Sequence, residues 1–233
     1  MKALIVDDEP LARRDMRRML QDYPWIKVVG EAGNIDEAAR QIESLSPDVL
    51  FLDIQMPGGS GFDLLNRLLQ VPRVVFATAY DAHAVQAFEV NALDYLLKPI
   101  DPERLAATMA RLREAPPVVS GPTKTLERIF VKDGPRCWFV PLREVRLLTS
   151  EGNYVRLSWG NQQPLLGRSL TGLEPHLNPQ QFFRANRRQI INLDFIKNVE
   201  IGLAGRLHVE LREGPEVQIS RRQTRLFRER ASI

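Results

Sequence analysis

The chain is expected to fold as two domains of different class, a parallel α/β domain and then a mostly antiparallel β domain. Three observations predict this. Short apolar runs alternate with amphipathic helical stretches up to about residue 113. A proline-rich stretch follows, Pro116-Pro117-Val118-Val119-Ser120-Gly121-Pro122, which has the composition of a semi-extended linker. Beyond it, short β-rich runs are separated by turn formers. A length of 233 residues accommodates about two domains. The expected boundaries are 1–115, a linker at 116–124, and 125–233.

In the first half, Lys2 to Val6 reads as a strand ending on Asp7-Asp8. Glu9-Pro10 starts a helix, with proline at a tolerated early position. Leu11, Met16, Met19 and Leu20 form its apolar face, and Arg13, Arg14, Arg17 and Arg18 its solvated one. A second run covers Ile26 to Gly30. Asn34 or Asp36 caps the helix from Glu37 to Leu45. The third run, Val49-Leu50-Phe51-Leu52, is unbroken and ends on Asp53, as a strand buried on both faces should. Gly61-Phe62 opens a helix with Leu64, Leu65, Leu68 and Leu69 inward. Arg73 to Ala77 ends on Thr78. A helix carrying Ala84, Val85, Ala87 and Phe88 precedes the short strand Asp94 to Leu97, which ends on Lys98-Pro99. Asp101-Pro102 begins the last helix.

Five strands alternating with five helices predict a parallel sheet covered on both faces. Ligands of such sheets bind outside the carboxyl ends of the strands. Asp7, Asp8, Asp53, Thr78 and Lys98 all stand at those ends and should converge on one cleft. Singly, each has a plain explanation: Asp53 as a turn residue, Asp7-Asp8 as a helix cap, Lys98-Pro99 as a loop. Together they offer three carboxylates, a hydroxyl and an ammonium. Clustered carboxylates suit a hard divalent cation such as Mg²⁺. A carboxylate can also act as a phosphoryl acceptor, with metal and lysine neutralising the transferred charge.

These residues resemble the receiver domains of two-component response regulators, which have a flavodoxin-like (βα)5 fold. The matching motifs are Val6-Asp7-Asp8-Glu9-Pro10, Leu52-Asp53-Ile54-Gln55-Met56-Pro57, Ala77-Thr78-Ala79-Tyr80 and Tyr95-Leu96-Leu97-Lys98-Pro99. The resemblance implies that a sensor histidine kinase phosphorylates Asp53. It implies that Asp8, Asp53 and the backbone carbonyl of Gln55 hold Mg²⁺, with Asp7 assisting through water. It makes Thr78, Ala79, Tyr95 and Lys98 the switch and phosphoryl-binding residues. Phosphorylation would favour a homodimer through the surface from about Asp81 to Arg113. Gly58-Gly59-Ser60-Gly61 departs from the bulkier residues common in receivers and is expected to loosen that loop.

The two halves differ in charge. Residues 1–115 carry 13 Lys+Arg against 18 Asp+Glu, and residues 116–233 carry 19 against 11. A basic second half points to a polyanionic partner or to a solvated basic surface. Its strand pattern includes a hairpin around Lys132-Asp133-Gly134-Pro135 and another around Glu151-Gly152-Asn153. A short helix should begin at Ser169 or Thr171, and a basic helix should run from Arg221 to about Arg230. No helix-turn-helix or zinc-ligand spacing is present, so nucleic-acid recognition would rest on loops and strands. Three clusters suit that role: Phe183-Arg184-Ala185-Asn186-Arg187-Arg188-Gln189, Ser220-Arg221-Arg222-Gln223, and the tip Glu151-Gly152-Asn153-Tyr154. Guanidiniums suit guanine edges and phosphates, and amides suit adenine edges.

This half resembles the LytTR-type DNA-binding domain of LytR/AlgR-family response regulators, on the segments from Phe183 to Leu193 and from Gln218 to Arg222. The resemblance implies loops placed in successive major grooves of double-stranded DNA. By position, Tyr154, Arg187 and Arg222 are expected at bases, and Arg184, Arg188 and Arg221 at phosphates or as supports. Asn153 and Asn186 complete the expected interface. Asn186 stands where family members commonly have histidine.

The whole is read as a DNA-binding transcriptional regulator rather than an enzyme. A protein-binding output domain is one rival. A phosphatase using the acid cluster is another, disfavoured because Asp7 and Asp8 are adjacent. One cysteine, Cys137, permits no internal disulfide. No signal-peptide core and no membrane span is apparent, so the protein is expected in the cytoplasm without membrane insertion.

Overall fold

The computed structural model describes residues 1–79, 93–114, 125–134, 136–202 and 206–231. The helix expected on Ala84, Val85, Ala87 and Phe88, the motif residue Tyr80, and the linker at 116–124 lie outside the described residues. Two compact units are present, one made mostly of residues 1–121 and the other mostly of 122–233.

In the first unit, β1 (Lys2–Val6), β2 (Lys27–Ala32), β3 (Val49–Leu52), β6 (Arg73–Thr78) and β7 (Asp94–Leu97) form one parallel sheet. Its order is β2-β1-β3-β6-β7, the doubly wound flavodoxin-like arrangement. The continuous apolar runs are buried as expected of a sheet covered on both faces: Val49, Leu50, Phe51 and Leu52 are each at most 1% exposed. The helices are α1 (Pro10–Leu20), α2 (Ile35–Leu45), α3 (Gly61–Arg67) and α4 (Pro102–Glu114). Met16 and Leu20 of α1 and Leu105, Met109 and Leu112 of α4 share one core with alternate residues of β1, β3 and β6.

Local chemistry explains the helix ends. Asn34, not Asp36, caps α2 by accepting from the Glu37 N–H. Ser60 and Asp63 form a reciprocal capping box on α3. Helix α3 stops at Arg67, with Leu68 already extended at ψ 135°. Leu68 and Leu69 are therefore half-buried outside the helix rather than part of its inner face. Pro72 disfavours helical backbone just before it, so the chain leaves the helix early enough to enter β6.

The second unit contains β10 (Val145–Glu151), β11 (Tyr154–Trp159), β12 (Leu165–Leu166), β13 (Phe182–Arg184) and β14 (Gln189–Asn192) in one antiparallel sheet. The order is β12-β11-β10-β14-β13. A second antiparallel sheet holds β15 (Ile196–Ile201), β16 (Leu207–Leu211) and β17 (Glu216–Gln218). A further hairpin pairs β8 (Arg128–Asp133) with β9 (Arg136–Pro141). Ser169 caps the short helix α5 (Leu170–Leu173), which continues as a 3-10 turn over Glu174–His176. Helix α6 (Arg221–Ala231) closes the described chain. Leu147 and Ile191 of one sheet, Val209 and Val217 of the other, and Phe227 of α6 belong to one core. Among the described residues, no helix is long and apolar enough to cross a membrane.

Candidate functional site

The cleft lies where the strand order reverses. Strand β1 has β2 on one side and β3 on the other, so Asp7 and Asp53 leave neighbouring strand ends on the same edge. The main chain fixes both: the Asp7 N–H donates to Ala32 O at 3.0 Å and the Asp53 N–H to Val6 O at 2.8 Å. Asp7 and Asp53 are buried and Asp8 is half-buried. One carboxylate oxygen from each of the three lies within 4.8 Å of the other two.

Lys98 follows the outer strand β7 and still reaches this group. Its Nζ lies 2.7 Å from Asp7 Oδ2 and 2.7 Å from Asp53 Oδ2. Its N–H donates to the carbonyl of Thr78, itself 1% exposed at the end of β6. The Lys98-Pro99 peptide is cis. Burial pushes the Asp7 carboxyl above its ordinary value, against the pull of Lys98 and of the Glu9 N–H. Burial also opposes charge on Lys98, but the bonds to Asp53 and Asp7 outweigh it and hold the ammonium above its ordinary value. One ammonium faces three carboxylates, so the cleft has the donor set and the charge imbalance that suit a divalent cation. Gln55 is exposed, and its N–H donates to Asp53 Oδ1 at 3.2 Å. Ala79 is exposed just past the end of β6, and half-buried Tyr95 pairs with Phe76, two residues before the end of β7.

The glycine-rich segment makes a tight turn. Two short strands, β4 (Gln55–Met56) and β5 (Gly59–Ser60), pair as a hairpin across Pro57-Gly58. Gly58 has φ +87°, the positive value that a type II turn with proline ahead of it requires. Gly61 has a separate reason. Its N–H donates to Ile54 O at 2.8 Å, and a Cβ there would lie 2.4 Å from the backbone oxygen of Asp53. Gly61→Ala is expected to push the strand end away from α3 at a cost of about 1 kcal/mol or more. Thermal unfolding of the variant measures it, and an unchanged midpoint would mean that α3 yields freely.

In the second unit the three basic clusters adjoin one another. The Ser150 N–H donates to Arg188 O at 2.7 Å, and the Ser220 N–H to Ala185 O at 2.8 Å. The 185–188 loop therefore sits between the β10 tip and the start of α6. Tyr154 is 52% exposed, and Asn153, Arg187, Arg188, Arg221 and Arg222 are exposed. Among the described residues, none of these four arginines has a side-chain hydrogen bond or ion pair. Arg184 and Asn186 are different. Arg184 turns onto its own loop and onto Glu174. The Asn186 amide donates to Gln189 Oε1 and to Gln218 O, both at 2.9 Å.

A model of the response regulator receiver domain matches residues 3–110, and a model of the LytTr DNA-binding domain matches residues 136–232. The chain belongs to the LytR/AlgR-type response regulators. A Vibrio cholerae relative named an uncharacterized response regulatory protein is 37% identical over 98% of this chain and 98% of its own length. The transcriptional regulatory protein BtsR of Escherichia coli K12 is also 37% identical, over 98% of both chains. A solved response regulatory domain of protein mrkE from Klebsiella pneumoniae is 32% identical, spanning 48% of this chain and 95% of its own, with a TM-score of 0.44. As a LytR/AlgR-type regulator, the chain is a two-component transcriptional response regulator.

Sequence reasoning missed two features of this response regulator. Arg156 grips Glu151 through two bonds, of 2.5 and 2.6 Å, at the hairpin tip. The Arg156 hydrogen bonds hold the Glu151 carboxyl below its ordinary range, so the acid on this basic edge is neutralised in place. An acid and an arginine five apart around a tight turn are the signal that would have found the pair. Glu174 carries no such local signal, because its partner Arg184 is brought to it by tertiary structure.

Proposed function

We propose that Asp53 accepts a phosphoryl group from a sensor histidine kinase and that its phosphorylation raises the affinity of residues 125–233 for double-stranded DNA. The convergence of Asp7, Asp8, Asp53 and Lys98 on one cleft carries this reading. An Asp53 oxygen attacks the phosphorus, and the bond from phosphorus to the kinase imidazole nitrogen breaks. Lys98 sits where it would balance charge on the transferred group. Thr78 and the Ala79 N–H would donate to its oxygens, and Tyr95 would respond to the movement of Thr78.

Asp7, Asp8, Asp53 and the Gln55 carbonyl would hold Mg²⁺, which neutralises negative charge on phosphoryl oxygens when bound. Asp53 is then a substrate rather than a residue acting on other molecules, and the protein is a regulator, not an enzyme with a separate substrate. It would work in the cytoplasm.

On DNA, Tyr154, Arg187 and Arg222 would read bases. Asn153, Arg188 and Arg221 would hold the backbone, with Arg184 and Asn186 at the same loop. Dimerisation of the phosphorylated receivers would bring two such domains to a repeated site, raising avidity through effective concentration. Phosphorylation shifts a population, so the unmodified protein keeps some affinity.

Titrating the full chain onto a DNA duplex, with and without acetyl phosphate and Mg²⁺, tests the coupling. Affinity should rise on phosphorylation and fall steeply with salt, since several phosphate contacts release counterions. Equal affinity in both states would break the link between the two halves. A flat salt response would argue against a nucleic-acid partner.

A further inference from the structure

We propose that Arg184, with Glu174, is a positioning residue that presets the 185–188 loop for base reading and does not itself contact DNA. This rests on the reading that Arg187 faces DNA.

The loop's own carbonyls show the device. Ala185 O accepts from the Ser220 N–H at 2.8 Å, and Arg188 O accepts from the Ser150 N–H at 2.7 Å. The two carbonyls between them are taken by one side chain: Arg184 Nε donates to Asn186 O and Arg184 Nη2 to Arg187 O, both at 2.7 Å. All four carbonyls of the loop are thus engaged. The remaining face of the guanidinium is held by Glu174, whose Oε2 lies 2.7 Å from Arg184 Nη1. The Arg184 side chain is 15% exposed, whereas Arg187 and Arg188 on the same loop are exposed.

The planar fork matters. Three nitrogens of one rigid group point at three acceptors, a geometry that a lysine ammonium on a flexible stem does not reproduce. Asn186 adds to the same end. Its Oδ1 accepts from the Arg188 N–H at 2.9 Å, and its amide bonds to Gln218 O. With the backbone fixed on both sides of Arg187, that side chain is offered without the ordering cost a mobile loop would carry. Glu174 has an unusual consequence: a carboxylate beside a DNA-binding loop strengthens sequence-specific binding instead of opposing it.

The test uses the full chain, a duplex selected from random sequence by the wild-type protein, and an unrelated duplex of equal length. Arg184→Lys should bind the selected duplex about tenfold or more weakly, the equivalent of roughly one lost hydrogen-bond pair. Its affinity for the unrelated duplex and its salt slope should not change. Glu174→Gln should weaken binding to the selected duplex as well, although removal of an acid would by charge alone strengthen binding to both. Thermal melting checks the fold of each variant; should Arg184→Lys fail to fold, Glu174→Gln decides.

The proposal is overturned if Arg184→Lys binds the selected duplex as tightly as wild type, as a phosphate contact that needs only the retained charge would, or if it weakens both duplexes equally. It is equally overturned if Glu174→Gln strengthens both. Arg187→Ala serves as the control. If it binds the selected duplex as tightly as wild type, the reading of the loop as a DNA contact fails. If it binds weakly while Arg184→Lys is unaffected, only the brace fails.

Discussion

Asp53→Asn is expected to abolish phosphate incorporation from acetyl phosphate in the presence of Mg²⁺. In the proposed reading the carboxylate would have two jobs in the cleft, as the nucleophile and as one of three acids holding the cation. An amide of the same shape cannot replace it, because its oxygen is a poor nucleophile and offers Mg²⁺ a neutral ligand in place of a charged one. The neighbouring acids do not replace it, although Asp7 also lies 2.7 Å from Lys98. Asp7 is pinned through its other oxygen, which accepts from the Glu9 N–H at 3.0 Å. Intact-mass measurement after incubation would show one added phosphoryl group in the wild type and none in the variant. Labelling of the variant at the wild-type level would refute the assignment of Asp53.

How much of this was legible in the sequence depends on the range of the interaction. The acid and lysine convergence was legible because the strand-end rule needs only the order of strands and their parallel sense. Both follow from apolar runs alternating with helices. The reach of Lys98 from the outer strand β7 agrees with that rule, since its four-carbon stem passes the end of β6 to meet Asp53 at the end of β3 and Asp7 from β1 beyond it. The glycines after Pro57 suggested looseness, and the turn that Pro57-Gly58 makes was not foreseen. A positive φ next to proline is a constraint that glycine satisfies, not freedom.

Other features were not legible at all. Gly61 looks like its glycine neighbours, and only the approach of α3 to the end of β3 shows why a side chain fails there. Arg184, Arg187, Arg188, Arg221 and Arg222 are alike in one dimension. What separates the first from the rest is Glu174, placed under the loop by a 3-10 turn ten residues earlier in the chain. Periodicity carries information about which face of an element is buried. It carries none about which of several equal cations finds an acid.

The same distinction sets the expectation for Arg187. Arg187→Ala should weaken binding to the selected duplex by about 1–3 kcal/mol, the worth of one bidentate base contact. Its guanidinium is exposed and makes no side-chain hydrogen bond or ion pair among the described residues. Removing it therefore leaves no buried partner unsatisfied and should hardly disturb stability. The backbone beneath it stays in place, because the Arg187 carbonyl is held by Arg184 and not by its own side chain. The loss should be confined to one base pair: duplexes altered at that position should be bound equally by the variant, while substitutions elsewhere keep their usual penalty. Competition titrations of single-base variants measure this. A uniform loss across all duplexes, with a salt slope shallower by about one, would reassign Arg187 to the phosphate backbone. Arg222, exposed at the first turn of α6, would then be left as the arginine expected at a base. The loop's four bonded carbonyls would in that case orient a backbone clamp, and sequence readout would shift toward the hairpin tip and Tyr154.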